Sequence, residues 1–197
     1  MSATAAAFGF RPSYHNSGTI RPKAYTIASG YAINLFSGDP VKLTDAGVIQ
    51  FGTSDGTRSG TTDGIALLGV FAGVEYTDSS GKPVTTNFWP ASTSATNIRC
   101  YVYDDPETLF DVEYPNPAPG TTVQTAVGEE CDLTVASPGG STSTGLSNTY
   151  LTVIMATSGQ FQITGFGYGV DNALTDAFVV ATVRINEHHY KAAVNSI

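Results

Sequence analysis

The sequence is poor in charged residues, and above all in basic ones. Only 13% of its 197 residues are charged, and nine Lys and Arg against 17 Asp and Glu give a formal net charge of −8. The basic residues are scattered, with no Lys/Arg run. Binding to nucleic acid depends on neutralising phosphates with basic side chains. We therefore expect no DNA or RNA partner.

Long apolar runs are absent as well. The wholly apolar segments extend over only a few residues, far short of the ~20 needed to cross a bilayer, so we expect no membrane partner. Residues 1–17 lack the basic stretch followed by an apolar one that marks a secretory signal. These features predict a protein made in the cytoplasm.

Cysteine is scarce, with only Cys100 and Cys131 in the chain. Two cysteines do not make a disulfide framework. Free thiols are the expected state after cytosolic synthesis, although a single bridge between the two stays an alternative. A chain of this length buries roughly 70% of the surface that its unfolded form exposes, so its core needs no metal or disulfide.

Helix-forming residues are few, and β-forming residues take their place. Lys, Glu and Leu are scarce, whereas Gly, Ser and Thr are abundant and Tyr and Phe number ten each. Aromatic and β-branched residues between frequent turn formers are typical of strands. We predict an all-β fold, an antiparallel β-barrel or sandwich of short strands with long loops. Only DNALTD (171–176) suggests a helical turn.

Residues 1–23 form an extended N-terminal arm, in which Gly and Pro interrupt any periodicity. The apolar side chains of the arm are Phe8, Phe10, Tyr14 and Ile20. A purely solvated tail has little use for them. Either the arm lies across a neighbouring subunit with these side chains as anchors, or it folds back onto its own domain. Residues 24–197 form the β domain, in which 114–148 is an irregular, loop-rich excursion.

Alternation and turn residues locate strands in the β domain. NIRCYVYD (97–104) and LFDVEY (109–114) each place apolar side chains on one face and polar ones on the other. IALLGVFAGVEYTD and VTTNFW flank the turn-like SSGK and predict a hairpin. Gly69 and Gly73 predict bulges or close backbone approach. Residues 54–64, without an apolar side chain, predict a flexible loop.

The stretch YVYDDPETLFDVE (101–113) concentrates acidic residues. Its five carboxylates are those of Asp104, Asp105, Glu107, Asp111 and Glu113. Asp104 and Asp105 precede Pro106, where Asx side chains initiate turns, so we predict a hairpin with Asp111 and Glu113 on its wet face. The stretch lacks the spacing of a calcium loop. A glycosidase pair stays an alternative, because its two carboxylates can lie far apart in the sequence.

No other motif assembles reactive groups. His188 and His189 are adjacent on a strand, so their side chains leave on opposite faces and cannot share one metal ion. Zinc-ligand spacing, a Gly-x-Ser-x-Gly turn and a phosphate-binding loop are all missing. Arg184 is able to pair with a carboxylate such as Asp104 or Asp105, and such a pair is more often structural than catalytic. We predict no catalytic, cofactor-binding or metal-binding residue and no cofactor.

Seven stretches, in order along the chain, carry a resemblance. They are AFGFRPSYHNSG, GDPVKLTDAGVI, LLGVFAGVEYTD, FWPAS, YVYDDPETLFDVE, GLSNTYL and FQITGF…DNALTDAFVVATVRINEHHY. The most specific part combines Asp104, Asp105 and Pro106 with the later Asp171, Asn172, Arg184, Asn186 and His188. The chain resembles tailed-phage virion structural proteins of the head decoration, or capsid cement, type. The loops at 52–62 and 114–140 are unmatched.

The resemblance implies an all-β protein without enzymatic activity that binds the outer surface of the capsid after synthesis in the host cytoplasm. Its expected partners are the major capsid protein and copies of itself, as a dimer or trimer. The family supplies no contact motif, so the arm supplies the candidates. These capsid-contact candidates are Phe8, Phe10, Arg11, Tyr14 and Ile20.

Two other functions stay open. A carbohydrate-binding β-domain on the virion surface would use Trp89, Tyr101 and Tyr103 as a stacking platform for sugar rings. A glycoside hydrolase or depolymerase would use two of the acidic residues, such as Asp104 and Asp111.

Overall fold

Fourteen short strands build the protein in a computed structural model, which describes residues 5–62, 64–135, 139–155, 159–167, 169 and 171–191. In chain order they are β1 (Arg11–Tyr14), β2 (Lys23–Tyr25), β3 (Leu35–Phe36), β4 (Pro40–Leu43), β5 (Ile49–Phe51), β6 (Gly69–Asp78), β7 (Pro83–Thr86), β8 (Phe88–Trp89), β9 (Ala95–Tyr103), β10 (Leu109–Pro115), β11 (Glu130–Thr134), β12 (Tyr150–Met155), β13 (Phe161–Phe166) and β14 (Phe178–Ile185). The predicted all-β fold is confirmed.

The strands form two six-stranded sheets and a two-stranded ribbon, and every strand pair is antiparallel. Sheet A has the order β1-β10-β14-β13-β11-β12. Sheet B has the order β2-β9-β6-β4-β5, with β7 also paired to β6, and the ribbon joins β3 to β8. The two sheets pack as a sandwich, which decides between the two predicted architectures.

Helical structure is limited to one short turn in the described part of the chain. It is the 3₁₀ segment Gln124–Ala126. Residues 171–176, where the sequence suggests a helical turn, form turns, and the Asp176 N–H donates to the Ala173 carbonyl at 2.9 Å. No helix among the described residues has the length and apolar character to cross a membrane.

Both sheets bury one face in a single hydrophobic core. Alternation predicts these faces correctly: Cys100 and Val102 of β9 are fully buried, as are Phe110 and Val112 of β10. Cys100 and Cys131 are free thiols in different sheets. Burial raises the pKa of each thiol to about 12, so both act as small apolar core side chains.

The close approach predicted at Gly69 and Gly73 is confirmed. β6 and β7 form the expected hairpin, and the pairing of β6 with β9 shifts register between Phe71 and Gly73. A Cβ at Gly69 would overlap the carbonyl oxygen of Tyr103 on β9. Only glycine fits there, because the backbones of two central strands occupy that space.

The hairpin predicted for β9 and β10 is wrong. β9 pairs with β2 and β6 in sheet B, whereas β10 pairs with β1 and β14 in sheet A. The turn chemistry is correct, since the Asp105 carboxylate accepts the Glu107 N–H at 2.9 Å. The turn therefore carries the chain from one sheet to the other. Alternation identifies the faces of a strand but not its partners.

The described part of the predicted loop, residues 54–62 and 64, is fastened to the core through Arg58. Arg58 extends from it over the Phe51 ring, 4.4 Å from the centroid, and its guanidinium pairs with Asp39. Asp39 is fully buried and also accepts the Phe36 N–H at 2.7 Å and the Ser147 hydroxyl at 2.6 Å. This buried carboxylate joins three separate segments of the chain.

Replacing Arg58 by alanine should lower the free energy of unfolding by about 3 kcal/mol, because it leaves the Asp39 carboxylate buried without its cation. Urea denaturation measures the effect. The double variant Asp39→Asn/Arg58→Met should lose less, since it removes both charges. Arg99→Ala on the exposed side of β9 is the matched control. A loss in Arg58→Ala no larger than in the control would contradict the role given to this pair.

Burial raises the pKa of Asp39 to about 6 from 3.8, although Arg58 and the hydrogen bonds from Phe36 and Ser147 act to lower it. The folded protein therefore keeps a proton on this carboxyl to a higher pH than the unfolded chain. Its contribution to stability is fully present below about pH 4 and is lost as the pH rises through about 6. The unfolding free energy of wild type minus that of Asp39→Asn should fall across this window. A constant difference would refute the assignment.

Candidate functional site

Three of the five acidic residues of 101–113, the aspartates, each bind a different structural partner. Asp104 accepts the Tyr25 hydroxyl and lies 3.5 Å from the Lys23 amine. Asp105 lies 3.2 Å from His15 Nε2, and Asp111 accepts the Thr182 hydroxyl at 2.8 Å. Among the described residues, no group of three or more His, Cys, Asp or Glu is placed to hold a metal ion. The cluster seen in the sequence is dispersed in space.

Asp104 belongs to a latch formed with Lys23, Tyr25 and Tyr190. The two tyrosine hydroxyls lie 3.1 Å apart, and the Lys23 amine lies over both rings, at 5.4 and 5.5 Å from the centroids. Burial and the hydrogen bond to Asp104 raise the pKa of Tyr25. The latch ties β2, the crossover between the sheets and the segment after β14 to one another.

The segment after β14 fastens the end of sheet A to sheet B. Leu67 donates its N–H to the Glu187 carbonyl and accepts the His189 N–H, both at 2.7 Å. His188 is buried and its Nδ1 accepts the Tyr190 N–H at 3.1 Å, while His189 is exposed. Burial lowers the pKa of His188. The two histidines occupy different environments, as their adjacency predicts.

The pairing considered for Arg184 with Asp104 or Asp105 does not form. Those two carboxylates pair with Lys23 and His15, and Arg184 forms no ion pair within the described ranges. The sequence could not rank these partners, because Lys23 and His15 lie some eighty or ninety positions before the carboxylates.

Asn172 and Asn186, two residues of the resemblance, hold backbone segments together. The Asn172 side chain accepts the Val180 N–H at 2.7 Å and donates to the Gly167 carbonyl at 2.5 Å. The Asn186 amide donates to Glu130 Oε1 at 2.9 Å. These hydrogen bonds within the protein give each Asn side chain a structural role, with no ligand required.

The N-terminal arm folds back onto its own domain. β1 lies at the edge of sheet A, paired with β10 through Arg11–Asp111 and Pro12–Phe110. The Phe10 N–H donates to the Gly38 carbonyl at 2.9 Å. Of the two arrangements that the sequence leaves open, this one holds for the described part of the arm, residues 5–23.

The five candidate contact residues fall into different environments. Arg11 and Tyr14 are exposed, Tyr14 by 55%. Phe8 is partly buried beneath the Arg11 guanidinium, which lies 4.3 Å from its ring centroid, and Ile20 is partly buried. Phe10 is 1% exposed and stacks on Phe161 with ring centroids 4.4 Å apart. Phe10 is therefore a core residue, and its expectation as a partner contact is corrected.

A cleft lies between the arm and sheet A. We name it the arm cleft; it is lined by Ala5 and Ala7 of the arm, Glu113 and Pro115 of β10, Phe178 of β14 and residues 150–153 of β12. Its volume is about 610 Å³ and its walls are mainly apolar. The strand β12 is the far edge of sheet A, and Val153 on its exposed side is 39% accessible.

Glu113 contributes a carboxylate to the arm cleft. The prediction that it faces solvent is wrong, since it is 5% exposed and lies beneath the arm. Its Oε2 accepts the Ala6 N–H at 2.7 Å, its one hydrogen bond within the described chain. Burial raises the pKa of Glu113, and the bond from Ala6 acts against that shift. Sequence alternation gives the correct face but cannot show that the arm covers it.

Trp89 is not available for the aromatic platform considered for sugar binding. Trp89 is fully buried, packs edge-on against Tyr76 with ring centroids 5.5 Å apart, and donates its indole N–H to the Tyr31 carbonyl at 3.3 Å. It is a core residue, so it offers no face to a ligand.

Comparison with protein-family models, curated proteins and solved structures gives no match to this chain.

Phe10→Ala should lower the free energy of unfolding by about 4 kcal/mol, because it removes a fully buried ring and leaves a cavity beside Phe161. Phe8→Ala, which removes a ring that is only partly buried, is the matched arm control and should lose about 1 kcal/mol. Chemical denaturation of both variants measures the difference. Equal losses would mean that the ring of Phe10 is not part of the core in solution.

Proposed function

We propose that this protein is a non-enzymatic virion structural protein that binds the assembled major capsid shell of a tailed phage from the outside. The observation that carries the proposal is the edge strand β1, which presents Arg11 and Tyr14 at the rim of sheet A. An edge strand offers unpaired backbone groups to which a partner can add a strand. The sequence resemblance points to the same role.

The edge is held rigidly, which favours binding. Phe10 anchors one end of β1 in the core, and the His15–Asp105 pair fastens the chain just beyond its other end. A surface that is already ordered loses less entropy when a partner binds. The exposed Tyr14 ring supplies the amphipathic contact typical of interface anchors.

Multiple copies and negative charge suit the same role. Many modest contacts on one shell, made by a dimer or trimer, give high avidity without any single strong site. A net charge of −8 keeps the protein from competing for packaged DNA. A protein that binds only the assembled shell stabilises that shell by mass action, with no chemical step.

Deleting the whole arm is a poor test, because it also removes Phe10 from the core. The double variant Arg11→Ala/Tyr14→Ala changes only exposed side chains of β1. It should bind empty shells of the virus's major capsid protein at least about tenfold more weakly than wild type. Val127→Ala, exposed at a distant turn, is the control and should bind as wild type does. Co-sedimentation gives the affinities, and the melting temperature of the shells should rise only where binding persists.

Two results would count against the proposal. Wild-type protein that fails to sediment with intact shells would refute capsid binding. Shell binding that is equal in wild type and in Arg11→Ala/Tyr14→Ala would leave capsid binding standing but remove β1 as its contact.

A further inference from the structure

We infer that the arm cleft binds an extended segment of the partner in which a large apolar side chain lies next to a Lys or Arg. This inference rests on the proposed function, since it takes the partner to be the capsid protein. It adds a second contact beside β1, between the arm, β10 and β12, and states which chemistry that contact recognises.

The shape and walls of the cleft fit an apolar side chain. A volume of about 610 Å³ falls within the usual range of protein binding pockets. Ala5, Ala7, Pro115 and Phe178 give it methyl, ring and methylene surfaces. An apolar side chain entering the cleft would remove these surfaces from water, which is the main source of binding free energy in such sites.

The carboxylate of Glu113 supplies the preference for a cation. Glu113 is only 5% exposed, and within the described part of the chain it accepts one hydrogen bond, from Ala6. A buried carboxylate with a single partner is costly and retains unused acceptor positions. A Lys or Arg in the cleft would complete the site with a charge-assisted hydrogen bond.

The surroundings of Glu113 leave that position open to a partner. Among the described residues, none of those that line the cleft is basic. An anionic ligand such as a fatty acid would be repelled by the Glu113 carboxylate and by the net charge of −8 on the protein. A purely apolar ligand would leave the carboxylate buried and still incompletely bonded. The combination of apolar walls and one buried acid therefore favours a mixed apolar and basic segment.

The arm itself couples to the site. Ala6 donates to the same carboxylate that would bind the cation, and Ala5 and Ala7 form one wall. A segment seated in the cleft would therefore contact the arm and Glu113 together. Occupancy should fix the arm more firmly against β10, which slows amide hydrogen exchange at residues 5–7.

The decisive experiment compares two exposed valines of nearly equal accessibility. Val153 on the rim of the cleft is 39% exposed and Val127 at a remote turn is 38% exposed. Val153→Arg places a bulky cation at the cleft, whereas Val127→Arg changes the net charge by the same amount elsewhere. Co-sedimentation with empty capsid shells should show at least about tenfold weaker binding for Val153→Arg and an unchanged affinity for Val127→Arg.

Glu113→Gln tests the acid without filling the cleft. It keeps an oxygen to accept the Ala6 N–H and replaces the charged carboxylate by a neutral amide. We expect about tenfold weaker binding to shells and a shallower dependence of affinity on salt. Overlapping peptides of the capsid protein, followed by fluorescence anisotropy, should bind wild type only where an apolar residue adjoins Lys or Arg. Circular dichroism and melting curves establish that each variant is folded.

The outcomes separate the inference from the proposed function. Wild type that does not bind shells defeats the proposed function. Shell binding that is unchanged in both Val153→Arg and Glu113→Gln leaves the proposed function standing and overturns the cleft. Preferential binding of acidic or purely apolar peptides would assign the cleft to a different occupant and overturn the inference. Slower amide hydrogen exchange at residues 5–7 at high protein concentration, with no partner added, would assign the cleft to a second copy of this chain and would also overturn it.

Discussion

The insertion of the Phe10 ring into the core, stacked on Phe161, is the contact that anchors the N-terminal arm on the domain. It fixes the arm at one point, and β1 continues from there as the edge of sheet A. The residues before it pass over β10, cover Glu113 and form one wall of the arm cleft. Both the edge strand and one wall of the cleft belong to the arm, so each needs the arm to be held in a fixed position.

The acidic residues of this chain act mainly as fasteners. Asp105 closes the turn between the sheets, Asp104 joins three segments in the latch, and Asp39 ties the loop at 54–64 to the core through Arg58. Each of these carboxylates is bonded to donors supplied by remote parts of the chain. Glu113 differs, since it is nearly as buried as a core residue yet accepts a single hydrogen bond within the described part of the chain. That contrast is the basis of the inference drawn for the arm cleft.

Prediction from the sequence succeeded where local chemistry decides the outcome. Alternation identified the buried faces of β9 and β10, the Asp105 turn followed from Asx geometry, and Gly69 was recognised as a close approach of two backbones. It failed where the result depends on residues far apart in the chain. The turn after β9 joins two sheets instead of two paired strands, because strand partners are chosen by the packing of the whole sandwich.

The sequence by itself determined the all-β class, the strands and their buried faces, since these follow from side-chain periodicity and turn residues within a few positions. It left the arm undecided between its own domain and a neighbour, and it placed Glu113 in water. Only the tertiary structure buried Phe10, covered Glu113 and gave Asp104, Asp105 and Asp111 different partners. The physical reason is that burial and hydrogen bonding at these positions come from contacts about a hundred residues apart, which no local pattern encodes.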